Sequence, residues 1–134
     1  MTDEELIEKA KAYRAHSYSP YSHFPVGAAV LAASGKVYGG CNIENSSYPL
    51  GNCAERTAIF KAVSEGERDF TAIAIVADTP GPCSPCGACR QVMLETEKRF
   101  KQPMRVLLYG KKGIYELKNV GELLPLSFDA SAMK

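Results

Sequence analysis

Apolar residues recur along this chain in two alternating patterns, a helical spacing of three to four positions and short continuous runs. Leu6, Ile7 and Ala10 follow the helical spacing, with Thr2 or Asp3 as the cap of the first helix. The runs rich in small, β-branched and apolar residues are typical of buried strands. The pattern predicts helices over residues 3–17, 54–63 and 88–100, a short helix over 120–124, and strands over 26–32, 37–43, 71–77, 104–109 and 113–117. Helices that alternate with strands in this way predict one layered α/β domain over residues 1–134.

Composition narrows the classes of function. The chain has 134 residues and a net charge of +1, which argues against a non-specific binder of nucleic acid or of membrane surfaces. It has no apolar run near the roughly 18 residues that a membrane span needs. The first five residues are acidic and lack the basic and then apolar pattern of a secretory signal. We therefore expect a cytoplasmic protein.

The cysteines carry the chemical signal. The chain has five, an odd number, and a cytosolic chain of this size rarely depends on disulfides. Cys41 fits the ordinary role of a small buried apolar residue. Cys83, Cys86 and Cys89 lie within seven residues, just after a predicted strand, and Cys53 precedes another predicted helix. This clustering favours a metal site.

An iron–sulfur cluster is the first metal site to consider, because Cys83, Cys86 and Cys89 match the start of a bacterial ferredoxin motif. That motif continues with a further cysteine and a proline, whereas this chain has Met93 and Leu94 there. The iron–sulfur interpretation therefore loses most of its support.

Zinc is the second candidate, with Cys86 and Cys89 as a C-x2-C pair and Cys53 as a third ligand. If Cys83 also binds, four thiolates close a structural site. If it does not, three ligands leave an open position, as in catalytic zinc sites. Glu55, two residues after Cys53, favours catalysis, because a zinc hydrolase needs a group that moves protons.

Two arginines lie beside these ligands. Three thiolates and one Zn²⁺ sum to a net negative charge, which weakens the acidifying effect of the metal on water. Arg56 and Arg90 are both candidates to donate hydrogen bonds to the sulfurs and offset that charge. An ordinary surface role stays open for each of them.

The combined motifs resemble the zinc-dependent nucleoside deaminases, and in particular the small cytidine deaminases whose three zinc ligands are all cysteines. The resemblance covers nearly the whole chain. It implies a three-layer α/β/α fold with a mixed five-stranded sheet. The matching segments are residues 18–22, Phe24, 26–29, 40–45, 53–58, 84–91 and 122–125.

The resemblance also implies a reaction. Cys53, Cys86 and Cys89 would hold one zinc ion, and Cys83 would not be a ligand. Glu55 would take a proton from the attacking water, protonate the adjacent ring nitrogen of the pyrimidine, and pass a proton to the leaving ammonia. Cytidine and 2′-deoxycytidine would become uridine and 2′-deoxyuridine, a step of pyrimidine salvage.

The resemblance assigns substrate contacts as well. Asn42 and Glu44 would bind ribose hydroxyls, and their spacing of two on an extended segment agrees, because both side chains then point the same way. Spacing alone would favour an interpretation of both as solvent-facing loop residues. Phe24 would pack against the nucleoside, and the backbone of Ala54 would contact the base.

A homotetramer is the assembly that the resemblance implies, with sites shared between subunits. Phe128 matches by position the aromatic residue that a neighbouring subunit places over the base, and Tyr48 is a second candidate to cross a subunit boundary. Residues 96–103 depart from the family pattern by a longer helix end and loop.

Three other functions stay open at this point. One is deamination of a cytosine-bearing antibiotic such as blasticidin S, which the sugar-binding pair Asn42 and Glu44 argues against. Another is an inactive four-thiolate zinc domain that binds a partner, which requires Cys83 as a ligand. The third is a nucleic-acid editing deaminase, which the near-neutral charge argues against.

Overall fold

A mixed sheet of five strands organises the chain, whose computed structural model describes residues 1–133. The strands lie in the order β2-β1-β3-β4-β5, and only the β3–β4 pair is parallel. The three α-helices are α1 (Asp3–Arg14), α2 (Ala54–Ser64) and α3 (Gly87–Phe100). The strands are β1 (Val26–Ala32), β2 (Val37–Cys41), β3 (Phe70–Ala77), β4 (Arg105–Gly110) and β5 (Gly113–Leu117). Three short 3-10 helices span Tyr48–Leu50, Val120–Leu123 and Ala130–Met133.

Helices cover both faces of the sheet, which confirms the expected three layers. Leu6, Ile7 and Ala10 of α1 pack on one face, against alternate residues of β1, β3 and β4. Helices α2 and α3 pack on the opposite face, against the other alternate positions of the same strands. Because both faces are buried, β1 and β3 are apolar at almost every position.

Two predicted elements end earlier than their apolar pattern suggests. Helix α1 begins with the predicted cap Thr2, in a capping box with Glu5, but it ends at Arg14 rather than at residue 17. Ser17 lies beyond it because its hydroxyl donates to the side-chain oxygen Oδ1 of Asn42. Strand β2 ends at Cys41 rather than at residue 43, because the side-chain oxygen of Asn42 takes the place of a backbone partner for Val26 N–H.

Close packing of α2 against β2 depends on a residue without a side chain. A Cβ at Gly40 would lie 2.5 Å from the backbone nitrogen of Ala58 and 2.9 Å from the carbonyl oxygen of Ala54. The helix can approach the strand this closely only because position 40 is glycine. Gly40 therefore helps to fix where the first turn of α2 lies.

The topology brings the starts of α2 and α3 to one edge of the sheet. Strands β2 and β3 each pair antiparallel with β1, so they run in the same direction. The loops that leave their carboxyl ends lead into α2 and α3, respectively. Ligand sites in α/β proteins commonly lie at such an edge. In residues 1–133 no helix is both long and apolar enough to cross a membrane.

Candidate metal centre

Three cysteine sulfurs meet where α2 and α3 begin. The Sγ atoms of Cys53, Cys86 and Cys89 all lie within 4.8 Å of one another. Cys53 and Cys86 are 3.8 Å apart at sulfur, and Cys86 and Cys89 are 3.3 Å apart. The structure thus brings together the three residues that the sequence predicts as zinc ligands.

Local helix geometry explains how the sulfurs converge. Cys53 is the N-cap of α2 and Cys86 is the N-cap of α3. Cys89 lies in the first turn of α3, and its backbone N–H donates to the Cys86 sulfur at 3.4 Å. The first turn of a helix has unpaired N–H groups and partial positive charge, both of which stabilise thiolates.

The spacing of the sulfurs is near that of a zinc site. Tetrahedral zinc with Zn–S bonds of about 2.3 Å separates its sulfur ligands by roughly 3.8 Å. The Cys53–Cys86 distance of 3.8 Å matches this value, and the Cys86–Cys89 distance of 3.3 Å is shorter. The ligands also span a gradient of exposure, since Cys89 is buried, Cys53 is half-buried and Cys86 is exposed. These three residues would hold a metal between the protein interior and the solvent.

Without a metal, the thiols of Cys53 and Cys89 differ in how readily they ionise. Hydrogen bonding to Cys89, and then to Arg56, lowers the pKa of Cys53 to about 5 despite its partial burial. Hydrogen bonding to Cys53 and burial raise the pKa of Cys89. The cluster therefore places its negative charge first on Cys53, and metal binding must displace the proton of Cys89.

Arg56 is the cation nearest the cluster. Its guanidinium Nη2 donates to the Cys53 sulfur at 3.4 Å, from one turn further along α2. Its Nε is buried without a hydrogen-bond partner among residues 1–133. The positive charge offsets the net charge of −1 that Zn²⁺ and three thiolates would carry together.

Arg90 has a different role. Its guanidinium donates to the carbonyl oxygens of Pro85 and Leu123, at 2.9 and 2.8 Å, and to the Ser84 hydroxyl at 2.6 Å. These bonds tie the loop before α3 to the last part of the chain. Arg90 thus holds the loop before α3 in place, and these three hydrogen bonds go to oxygen atoms rather than to sulfur.

Glu55 lies in the first turn of α2 and is only 4% exposed. Burial, and then the negative charge of Cys53, raise the pKa of its carboxyl group. It forms no salt bridge within residues 1–133. A buried carboxyl group without a cation partner, next to a metal ligand in sequence, is suited to accept and return protons.

Cys83 lies apart from the group of three sulfurs that the described residues form. Its side chain packs against the core beneath α2 and α3. Burial, and then the charge of Glu55, raise the pKa of this thiol to about 11. Its position outside the group of three sulfurs, rather than its pKa, sets Cys83 apart from the candidate ligands.

A cleft of about 420 Å³ opens beside Cys53 and Arg56. This volume is within the range of small-molecule sites. Three other residues singled out in the sequence, Asn42, Glu44 and Tyr48, line it. Cys53 of the metal cluster and the predicted sugar-binding pair therefore face the same space.

The remaining predicted contacts, Phe24, Ala54 and Phe128, do not line this cleft. Phe24 is 42% exposed, and its carbonyl oxygen accepts a hydrogen bond from Asn42 Nδ2 at 2.8 Å. Ala54 is fully buried as the first residue of α2. Phe128 is 62% exposed in the C-terminal segment, where its carbonyl oxygen accepts from Gln91 Nε2 at 2.9 Å.

Sequence reasoning missed the residues that hold the cleft in shape. Tyr21 and Ser22 line it, and both bind the carboxylate of Glu44. Ser17, in the segment that follows α1, donates its hydroxyl hydrogen to Oδ1 of Asn42. Tyr21 and Ser22 lie in the matching segment 18–22, but neither that match nor the polar, proline-containing pattern indicates a partner more than twenty residues away.

Comparison with known proteins agrees with this geometry. A family profile described as the cytidine and deoxycytidylate deaminase zinc-binding region matches residues 1–102. The cytidine deaminase of Sporosarcina psychrophila is 56% identical over 128 residues, which are 96% of this chain and 92% of that protein. The cytidine deaminase of Halalkalibacterium halodurans is 52% identical over 133 residues, 99% of this chain and 98% of that protein.

A solved structure shares the fold. The crystal structure of cytidine deaminase from Burkholderia pseudomallei superposes with a TM-score of 0.89 at 51% sequence identity, and the match covers 96% of this chain and 100% of that one. Sequence, fold and the three-cysteine cluster thus lead to one assignment: the chain belongs to the zinc-binding cytidine and deoxycytidylate deaminase family.

Proposed function

We propose that this protein catalyses the zinc-dependent hydrolytic deamination of cytidine and 2′-deoxycytidine to uridine and 2′-deoxyuridine, with release of ammonia. The observation that carries the proposal is the cluster of Cys53, Cys86 and Cys89 beside the buried Glu55. The cleft next to them has a polar wall suited to a sugar. The relatives that cover the chain almost end to end carry the name cytidine deaminase.

Zinc held by the three thiolates supplies Lewis-acid activation of a water molecule. Glu55 accepts a proton as this water attacks the amino-bearing carbon of the pyrimidine ring. It delivers that proton to the adjacent ring nitrogen. The same carboxylate then takes the proton of the added hydroxyl group and passes it to the amino group, which leaves as ammonia. Burial of Glu55 keeps bulk water away from the proton in transit.

Asn42 and Glu44 recognise one sugar hydroxyl, as a count of their hydrogen bonds indicates. Asn42 Oδ1 accepts from Val26 N and from the Ser17 hydroxyl, and Nδ2 donates to Phe24 O, which leaves one free N–H. Glu44 accepts three bonds from Tyr21 and Ser22, which leaves one acceptor site on Oε2.

One donor and one acceptor complement a single hydroxyl group. Asn42 and Glu44 therefore suit a hydroxyl that cytidine and 2′-deoxycytidine share, and both nucleosides are expected substrates. Phe24 and the backbone N–H of Ala54, which has no acceptor within its helix, are the proposed contacts for the rest of the nucleoside.

Assembly into a homotetramer would complete the site. The cleft is open to solvent, and the aromatic rings of Tyr48 and Phe128 are 76% and 62% exposed. Aromatic side chains this exposed are suited to cover a ligand bound in a neighbouring subunit. The expected mass by sedimentation equilibrium is about four times the 14.5 kDa of one chain. A monomer of full activity would contradict the shared site.

The protein is proposed to act as a single domain of residues 1–134 in the cytoplasm. The core on both faces of one sheet supports the single domain. All five cysteines are free of disulfides, and three of them must stay reduced to bind metal, which suits a reducing compartment.

A rate comparison tests the substrate assignment. Purified protein with zinc is assayed on cytidine, 2′-deoxycytidine, free cytosine and blasticidin S. The proposal expects the two nucleosides to be deaminated with similar kcat/KM and the other two compounds to be poor substrates. A preference for blasticidin S would instead make the protein an antibiotic deaminase of the same chemistry.

A further inference from the structure

Three hydrogen bonds from one short segment hold the carboxylate of Glu44. The backbone N–H groups of Tyr21 and Ser22 donate to Oε1 at 3.0 and 3.1 Å. The Ser22 hydroxyl donates to Oε2. The backbone of Glu44 is tied to the same region, since its N–H donates to Tyr18 O at 2.9 Å. Both ends of Glu44 are therefore anchored to the segment between α1 and β1.

The Ser22 hydroxyl has only one orientation that satisfies its neighbours. It accepts a hydrogen bond from the backbone N–H of Phe24 at 3.1 Å. That bond occupies a lone pair and directs the single hydroxyl hydrogen away from Phe24. The hydrogen is thus committed to Glu44 Oε2, the oxygen that carries the free acceptor site.

The backbone around Ser22 is bent to make this contact. His23 has a φ of 54°, in the left-handed region that side-chain-bearing residues rarely adopt. Its N–H closes a turn onto Ser19 O at 3.0 Å. Such strain persists where surrounding contacts hold it, and it is common at functional sites.

We propose that Ser22 is a positioning residue for Glu44, which fixes the carboxylate so that one lone pair of Oε2 faces the nucleoside sugar. This inference rests on the proposed role of Glu44 in binding a sugar hydroxyl. Ser22 itself is bound on both sides, by Phe24 N–H and by Glu44, and acts on substrate only through Glu44. The Ser22 hydrogen bond is also the main cause that lowers the pKa of Glu44, so the acceptor stays ionised.

The test compares two serine variants that lose the same kind of bond. Ser22→Ala removes the hydroxyl bound to Glu44, and Ser34→Ala removes a hydroxyl that donates to Glu67 Oε2 at 2.8 Å, remote from the cleft. Ser22→Thr keeps the hydroxyl. Each protein is assayed for kcat and KM on cytidine and on 2′,3′-dideoxycytidine, which lacks both secondary hydroxyls, after its melting temperature is checked.

A positioning role predicts a specific pattern. Ser22→Ala should raise KM for cytidine about fivefold or more, as expected for loss of a hydrogen bond to a charged group, with kcat within about twofold. On 2′,3′-dideoxycytidine the same variant should match the unmodified protein. Ser22→Thr and Ser34→Ala should keep KM for cytidine within about twofold.

Other patterns overturn the proposal. An unchanged KM for cytidine in Ser22→Ala would show that Glu44 needs no help from Ser22. Equal losses on both substrates would show that Ser22 only supports the fold. If the unmodified protein deaminates neither nucleoside, the proposed function itself fails and this inference falls with it, which is distinct from a defect confined to Ser22→Ala.

Discussion

The sulfur atoms of Cys53 and Cys86 lie 3.8 Å apart although 33 positions separate the two residues in the chain. Each is the N-cap of a helix, and both helices start at the same edge of the sheet. The cluster is therefore a product of the strand topology, which places the beginnings of α2 and α3 side by side. Disturbing either helix start should affect the metal site before it affects the core.

Single cysteine substitutions should show whether three or four thiolates bind the zinc. Cys86→Ala should abolish tight zinc binding, because it removes one of three ligands. Cys83→Ala should keep one zinc per chain, because that thiol lies outside the cluster of three sulfurs. Metal content by atomic absorption measures both. Loss of zinc from Cys83→Ala would instead favour a closed structural site.

Replacing Glu55, the proposed proton carrier, should lower the catalytic rate but leave metal binding unchanged. Glu55→Gln keeps the shape of the buried side chain but removes its ability to carry protons. The expected loss in kcat is about 10²- to 10⁴-fold, with zinc content unchanged. Glu65→Gln, at the exposed C-terminal end of the same helix, is the matched control and should retain activity. Near-normal turnover by Glu55→Gln would refute the proposed mechanism.

Arg56 should affect how strongly the bound metal activates water, but it should not be required for metal binding. In Arg56→Gln the thiolate of Cys53 loses its hydrogen bond and the positive charge beside it. The resulting net negative charge should weaken activation of water and lower kcat by about tenfold, while zinc remains bound. Arg68→Gln is the control, because Arg68 donates only to the carbonyl oxygens of Val63 and Glu67. A kcat equal to that of the unmodified protein would argue against this role.

Adding a single methyl group at Gly40 should destabilise the fold. A methyl group there would lie 2.5 Å from the backbone of α2, so Gly40→Ala must push the helix away from β2. We expect a decrease of about 1–3 kcal/mol in the free energy of unfolding. Gly81→Ala is the control, because its Cβ would meet nothing within 4 Å. Denaturant unfolding of both variants measures the difference, and equal stabilities would contradict the close packing.

Most of the fold could be predicted from local pattern. The strand over residues 26–32 matches β1, and the strand over 113–117 matches β5, because turns and apolar runs mark their ends. The ends of α1 and β2 were predicted too late because side-chain hydrogen bonds, not apolar spacing, terminate them. Asn42 is the clearest example, since its amide replaces a backbone partner of Val26.

The candidate site likewise contains residues that could be predicted from the sequence and residues that could not. The zinc ligands and Glu55 were predictable because their spacing and residue types point to the chemistry directly. The segment that binds Glu44 was not, because Ser22 and Glu44 are 22 positions apart and meet only through the tertiary fold. A contact between two ordinary polar residues has no signature in a single sequence.

The proposed reaction is the removal of the amino group of cytidine by zinc-dependent hydrolysis. The most direct measurement is the ultraviolet absorbance of cytidine incubated with purified, zinc-loaded protein, because loss of the amino group changes the spectrum of the ring. We predict a steady conversion that stops when a chelator removes the zinc and resumes when zinc is restored. An unchanged spectrum with folded, zinc-loaded protein, or a conversion indifferent to zinc removal, would contradict the claim.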